Sequence, residues 1–297
     1  MTSIAPVHKS GYVAIIGLPN AGKSTLLNAF LGQKLSIITP KAQTTRHRVT
    51  GIFSDDDSQI IFLDTPGIIN PKYKLQEAMM AAVEKAERDA DVILHLVDPK
   101  NNEVSPAVRK GLNAIGKPRI LAVNKTDLIS REAEASGARV WTEKIDYTAT
   151  VGISALQGKG VAELLSLIKS LIPEGPAFYP KDQLSDHPER FFISEIIREK
   201  LFLQFQQEIP YSCAVNIVEY SETGAKDQID AEIVVNRDSQ KGMIIGKQGS
   251  AIKKLGIESR RDIEAFLGKG VNLRLFVKVR EKWRENDLFV KNYGYKN

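Results

Sequence analysis

The stretch Tyr12-Val13-Ala14-Ile15-Ile16-Gly17-Leu18-Pro19-Asn20-Ala21-Gly22-Lys23-Ser24-Thr25-Leu26-Leu27 joins an apolar run to a helical one through a GxxxxGKS loop. Glycine lets successive backbone N–H groups curl around a phosphate, and the helix behind the loop aims its positive dipole end at the same anion. Gly17, Leu18, Pro19, Asn20, Ala21, Gly22 and Thr25 are therefore read as the phosphate cradle. Lys23 reaches the β- and γ-phosphates and Ser24 is placed to coordinate Mg²⁺. Strand, loop and helix in that order predict an α/β domain that binds a nucleoside triphosphate.

Outward from this loop, strand-like runs at 12–16, 60–63, 92–97 and 119–123 alternate with helical stretches at 74–88, 104–115 and 159–170. Such alternation predicts a doubly wound, mostly parallel sheet whose ligands bind where strands end. Asp64-Thr65-Pro66-Gly67-Ile68 follows one strand, so the Asp64 carboxylate can hold Mg²⁺ through water and the Gly67 N–H can meet a γ-phosphate. Asn124-Lys125-Thr126-Asp127 follows another. Asp127 can accept N1–H and the N2 amine of guanine, whereas adenine would present it a lone pair. Asn124 is read as orienting the loop and contacting the base edge, and the backbone around Ser154 and Ala155 as offering an N–H to guanine O6. An ordinary turn with a helix cap is the alternative for Asn124 and Asp127.

At 297 residues the chain suggests two domains. A hydrophobic content of 42% and a charged content of 26% describe a globular protein, and no apolar run approaches the roughly 20 residues of a bilayer span. The opening residues 1–9 lack the apolar core of a secretory signal, so the expected location is the cytosol. The single cysteine, Cys213, sits in a strand-like run and is read as a buried thiol without function. Three prolines within 173–180 mark a linker, taken as 173–188, between domains at 1–172 and 189–297. The net charge of +5 is uneven: residues 237–297 hold 15 Lys and Arg against 7 Asp and Glu, which favours a polyanionic partner.

The second half reads α-β-β-α-α-β, with Gly246-Lys247-Gln248-Gly249 between its last two helices, at 240–246 and 250–267. That arrangement resembles a type II KH domain, a smaller α+β fold whose GxxG loop presses its backbone onto a nucleic-acid backbone. Ile244 and Ile245 are taken as the apolar flank of the groove, and Lys247, Gln248, Lys253, Lys254 and Arg237 as backbone contacts. The aromatic and basic residues of 281–293 can stack on RNA or pack the domain edge, and for Trp283 packing is favoured.

GLPNAGKS, a threonine-bearing loop at 41–47, DTPG, NKTD and SAL, joined to a GxxG domain, resemble the Era-like GTPases over nearly the whole chain. The resemblance implies a P-loop GTPase domain followed by a type II KH domain, GTP and GDP as ligands, and Mg²⁺ held by Ser24, Asp64 and a switch threonine, Thr45 ahead of Thr44. It makes Lys23, Thr45, Gly67 and Asn20 the catalytic set. Ile68 stands where the Ras-like branch has a water-orienting glutamine, so slow intrinsic turnover is implied. Asn20 matches the asparagine through which the Era-like branch binds K⁺; that asparagine tolerates the loop's unusual backbone angles is the other reading. The implied partners are the 3′ end of small-subunit ribosomal RNA and the 30S subunit, met by a monomer, with peripheral contact with the inner membrane. The alternative is a GTPase whose second domain binds a protein or membrane partner in signalling; the tail at 292–297 holds no prenylation cysteine.

Overall fold

The computed structural model describes residues 8–100, 112, 116–222 and 224–296. Its contacts divide the chain into two units, residues 1–71 with 79–186, and residues 72–78 with 187–297. The helical stretch expected at 104–115 lies outside the described residues except for Leu112, which is buried.

The first unit is built on a six-stranded sheet of β1 (Lys9–Ile16), β2 (Val49–Ser54), β3 (Ser58–Asp64), β4 (Val92–Val97), β5 (Arg119–Val123) and β6 (Ala149–Gly152). Their spatial order is β2-β3-β1-β4-β5-β6, with β2 antiparallel and the rest parallel. All of β4 is buried, as covering both faces of a parallel sheet requires. Helices α1 (Lys23–Leu31), α2 (Lys74–Asp89), α3 (Arg131–Thr142) and α4 (Val161–Leu171) flank it. The sequence pattern does not reveal β2, β6 or α3. Gly51 interrupts the pattern of β2, yet an added Cβ there would stand 2.6 Å from Leu27 Cδ1, so glycine is what lets α1 lie on that strand. Edge strand β6 is only four residues long, and α3 starts from a Ser130 cap that accepts the Ala133 N–H at 3.4 Å.

The expected linker is for most of its length part of the first unit. Lys9 bridges to Glu174, Gln59 Oε1 accepts the N–H groups of Phe178 and Tyr179 at 2.7 and 2.9 Å, and the Ile52 N–H donates to Leu184 O at 2.8 Å. Three prolines stiffen this segment, but the side chain of one buried glutamine holds it down.

The second unit carries α5 (Glu189–Gln204), α6 (Ile209–Ser212), β7 (Ala214–Ser221), β8 (Lys226–Val235), α7 (Asp238–Ile245), α8 (Ser250–Leu267), β9 (Gly270–Val279) and α9 (Asp287–Asn292). β7 pairs antiparallel and β9 parallel with the central β8. One core gathers Ile193, Ile197, Ile229, Ile233, Leu255 and Ile263 from helices and sheet. Cys213 is buried in that core, with its thiol donating to Pro210 O. Trp283 is fully buried, with its indole N–H on Ser212 O at 2.8 Å, so it packs the domain.

Inside the first unit, His95 of β4 is fully buried with Nδ1 2.7 Å from the Tyr147 hydroxyl, its ring edge-on to Trp141, and Nε2 unpartnered. Burial first, then the nearby Lys23 charge, push its pKa down to about 3. The unfolded chain therefore binds this proton below about pH 6.5 and the folded chain does not. Stability should fall as pH drops from about 6.5 toward 3, by up to about 1.4 kcal/mol per pH unit from this group. Urea midpoints at several pH values, followed by Trp141 fluorescence in a Trp283→Phe background, should show a shallower acid slope for His95→Leu.

Candidate functional site

Lys23, the first residue of α1, curls back over its own loop and donates to Gly17 O at 3.2 Å and Leu18 O at 3.0 Å. It is buried, and burial pushes its pKa down to about 8 against the pull of Asp64. Gly22 has φ 100°, and a Cβ there would stand 2.3 Å from Asn124 Nδ2, so only glycine serves. Gly67 lies against Pro19 so closely that a Cβ would approach its Cα and N to 2.7 Å. Between these loops opens a cavity of about 380 Å³ whose walls include Asn20, Lys23, Ser24, Thr45, Gly67 and Lys125.

Three residues from distant parts of the chain meet at one side of this cavity. Ser24 Oγ donates to Asp64 Oδ2 at 2.7 Å and lies 2.9 Å from Thr45 Oγ1. Ser36, which no sequence motif singles out, donates to the same Asp64 oxygen at 3.1 Å. Asp64 Oδ1 is buried with no partner. Burial raises the Asp64 carboxyl to about 6, while Ser24, Lys23, Ser36 and the Thr65 N–H pull the other way, so at neutral pH the group is ionised. An orphaned carboxylate oxygen beside two hydroxyls is an all-oxygen donor set suited to a hard divalent cation such as Mg²⁺. Among the described residues no three His, Cys, Asp or Glu gather into a metal cage, so a cation here would share its coordination with phosphate oxygens. Thr44 is occupied elsewhere: its hydroxyl donates to Lys41 O at 2.7 Å and lies 2.6 Å from Thr39 Oγ1, holding the loop's own turn. Asn28 steadies the entry to that loop by accepting the Leu35 and Ser36 N–H groups and donating to Ser36 O. Its signal in the sequence is an asparagine inside a helix, a residue type that usually prefers caps.

At the other end, Asn124 fastens loops together. Its amide donates to Ala21 O at 2.8 Å and its Oδ1 accepts the Ala155 N–H at 2.9 Å. The Ser154 N–H is taken by Lys159 O. Asn124 therefore ties the loop at Ala21 to the loop at Ala155 and has a second amide hydrogen beyond these bonds, while the Ser154 and Ala155 N–H groups are bonded within the protein. Lys125 adopts φ 62° and pairs with Asp98 at 2.7 Å, a partner the sequence does not disclose. Half-buried Asp127 stands on the 3₁₀ turn Thr126–Leu128 that follows. Thr65 serves the fold by donating to Ile15 O at 2.7 Å, beside Pro66. Ile68 is corrected as a ligand contact: its side chain lies in the core and its N–H is spent on Gly17 O.

The second unit presents a separate surface. Gly246, Gln248 and Gly249 all have positive φ, of 73°, 51° and 77°, which turns the chain sharply between α7 and α8 and places Lys247 outside. Ile244 is corrected: it is fully buried in the core, while Ile245 is half-buried. Lys253 lines a groove of about 330 Å³ between α8 and β9, together with Ile252, Ile257, Arg260, Leu273 and Leu275. Lys254 faces solvent beside Glu258, and Arg237 precedes α7. The sequence reading takes Ile244 and Ile245 of α7 as the apolar flank and does not single out Ile257 or the β9 leucines of this groove, which fall into an ordinary core pattern unless the edge of the sheet is known to be open.

Comparison with known proteins finds matches for both units. Residues 12–125 match the family model described as 50S ribosome-binding GTPase, and residues 208–284 match that of the KH domain. The chain is 42% identical to a GTPase Era of Staphylococcus haemolyticus over 97% of each protein. It is 48% identical to the chloroplastic GTPase ERA1 of Zea mays over 99% of this chain and 72% of the relative. Among solved structures it superimposes with TM-score 0.92 on a point variant of Aquifex aeolicus Era bound to GDP and AlF4⁻, at 39% identity over 97% of this chain and 100% of that one. An Era in complex with MgGDPNP and nucleotides 1506–1542 of 16S ribosomal RNA gives 0.91 at 38% identity, covering 98% of this chain and 100% of that one.

The lowered pKa of Lys23 has a thermodynamic consequence. Bound phosphates favour the charged amine, so nucleotide binding above pH 8 takes up a proton and loses affinity as pH rises, by up to about tenfold per pH unit. Isothermal titration with GDP between about pH 7 and 9.5, in buffers of different ionisation enthalpy, should show both effects.

Proposed function

The chain belongs to the Era family of GTPases, and from that premise we propose a GTP-hydrolysing switch that grips the single-stranded 3′ end of small-subunit ribosomal RNA during assembly of the 30S subunit. The observation that carries the reading is the meeting of Thr45, Ser24 and Asp64 in a chain of hydrogen bonds that ends on Asp64 Oδ2 and leaves Oδ1 without a partner, in a chain whose other unit holds a glycine-turned loop beside a basic and apolar groove. The 50S description attaches to residues 12–125, which are the nucleotide half. The small subunit is favoured by the similar protein solved with 16S ribosomal RNA.

In this reading Lys23 leaves its loop carbonyls for the β- and γ-phosphates, where a cation in a water-poor site counters the charge that grows during hydrolysis. Ser24 and Thr45 hold Mg²⁺ directly and Asp64 holds it through water, while the Gly67 N–H steadies the γ-phosphate. Mg²⁺, when bound there, would neutralise charge on the phosphate oxygens. Thr45 lies on the loop that follows Asn28 and Ser36, so the ordering of that loop reports the γ-phosphate. Asp127 selects guanine, and Asn124 selects by holding the loops that frame the base. With the Ile68 side chain in the core, no group at that position orients the attacking water, and turnover is slow without help.

Asn20, at φ 63° with its amide 3.5 Å from Pro40 O, is the residue we assign to K⁺. A monomer working in the cytosol, with peripheral contact with the inner membrane, completes the reading on the family resemblance. No helix among the described residues is long and apolar enough to cross a membrane.

Loaded with a non-hydrolysable GTP analogue, the protein should bind the 3′-terminal ribosomal RNA tightly and with strong salt dependence. The GDP form and a Gly246→Asp, Gly249→Asp double variant should bind at least about tenfold more weakly, a loss near 1.4 kcal/mol. Equal affinity in all three would assign the second unit to another partner. Potassium should accelerate hydrolysis over sodium in the wild type and not in Asn20→Ala; equal stimulation of both proteins would leave Asn20 a purely conformational role.

A further inference from the structure

Gly256 lies in the middle of α8, an 18-residue helix. Glycine inside a helix is less favourable than alanine, so its presence needs a reason. The usual reasons are missing. The backbone there is ordinary helix, without the positive φ that marks Gly246 and Gly249. No neighbour presses on it either: an added Cβ would meet only Leu275 Cδ1, at an ordinary contact distance of 3.7 Å. By contrast, Gly51 and Gly246 have an atom within 2.6 Å of the Cβ they lack.

What Gly256 does touch is the groove, whose wall it forms with Ile252, Lys253, Ile257 and Arg260 of the same helix, opposite Leu273 and Leu275 of β9. Ile252 and Lys253 stand one turn before it and Arg260 one turn after it, so the missing side chain leaves a notch on the helix face. The notch has apolar sides, which suit the flat face of a base, and Lys253 and Arg260 at its two ends, which suit phosphates. Both cations are exposed, and Arg260 has only a loose 3.9 Å approach to Glu264.

We propose that Gly256 is a specificity-determining residue of the RNA groove, its missing side chain kept so that one unstacked base can seat between α8 and β9, with Arg260 holding the strand at the far end from the GxxG turn. The proposal rests on the RNA-binding reading given above and deepens it. It makes an unusual pair of demands on one substitution. Gly256→Ala should raise the melting temperature by a few degrees, about what a relieved helix interior gives, while weakening RNA binding. Gly256→Leu should weaken RNA binding further.

The test uses the full chain, loaded with a GTP analogue, and an RNA of nucleotides 1506–1542 of 16S ribosomal RNA as probe. Wild type, Gly256→Ala, Gly256→Leu, Arg260→Ala and the Gly246→Asp, Gly249→Asp double variant are compared for RNA affinity, melting temperature and GTPase rate without RNA. The expected result is at least about a tenfold loss of affinity for Gly256→Ala with unchanged GTPase rate and raised melting temperature, and a comparable loss for Arg260→Ala. Full RNA affinity in Gly256→Ala, alongside loss in the double variant, would overturn the proposal and leave the RNA reading standing. A lowered melting temperature in Gly256→Ala would also overturn it, by showing that the glycine serves packing. Failure of the wild type to bind the RNA would remove the reading and the proposal together.

Discussion

A carboxylate buried at the end of a strand organises the nucleotide half of this protein. Asp64 has no exposure to solvent, and a charge in that position is tolerable only if neighbours satisfy it. Ser24 from the phosphate loop and Ser36 from the loop after α1 both donate to one of its oxygens, and Lys23 supplies opposite charge nearby. Thr45 joins through Ser24. The other oxygen is left over, in a place where hydroxyl oxygens stand beside it. Because the Ser24 hydroxyl both satisfies Asp64 and lines the cavity, loop conformation and ligand binding draw on the same hydrogen bond.

The second unit also buries charge. Arg198 and Glu195 lie on one face of α5 and are paired bidentately deep in the fold, with Arg198 Nη1 left over. Its chemistry is kept outside: Lys247, Lys253 and Arg260 are exposed, and β9 carries Arg274 and Lys278, already paired with Asp230 and Glu232. Those pairs offset two of the 15 cations of residues 237–297.

Legibility in the sequence followed the range of the interaction involved. The phosphate loop, DTPG and NKTD were readable because each is a local device in which backbone and side chain act within a few residues. So were the long elements: helices at 189–204 and 250–267 and the buried strands β1, β3, β4 and β5 carry strong periodic or continuous apolar patterns. The readings that needed the structure concern partners far apart in the chain. Asn124 was read as orienting its loop and contacting the base edge, and the partners through which it holds the loop, Ala21 and Ala155, lie 103 and 31 residues away. Ile244 and Leu275 are both apolar residues in an apolar stretch; one fills the core and the other lines a groove.

By itself the sequence determined the fold class, the nucleotide chemistry and the presence of a GxxG turn, since glycine spacing, dipole direction and donor pattern are properties of short segments. Tertiary structure alone decided that Ser36 shares Asp64 with Ser24, which distant groups Asn124 and Lys125 hold, and which helix face stays uncovered beside β9. Those outcomes depend on where the edge of a sheet ends and which loop crosses another, and no local pattern of residues encodes either.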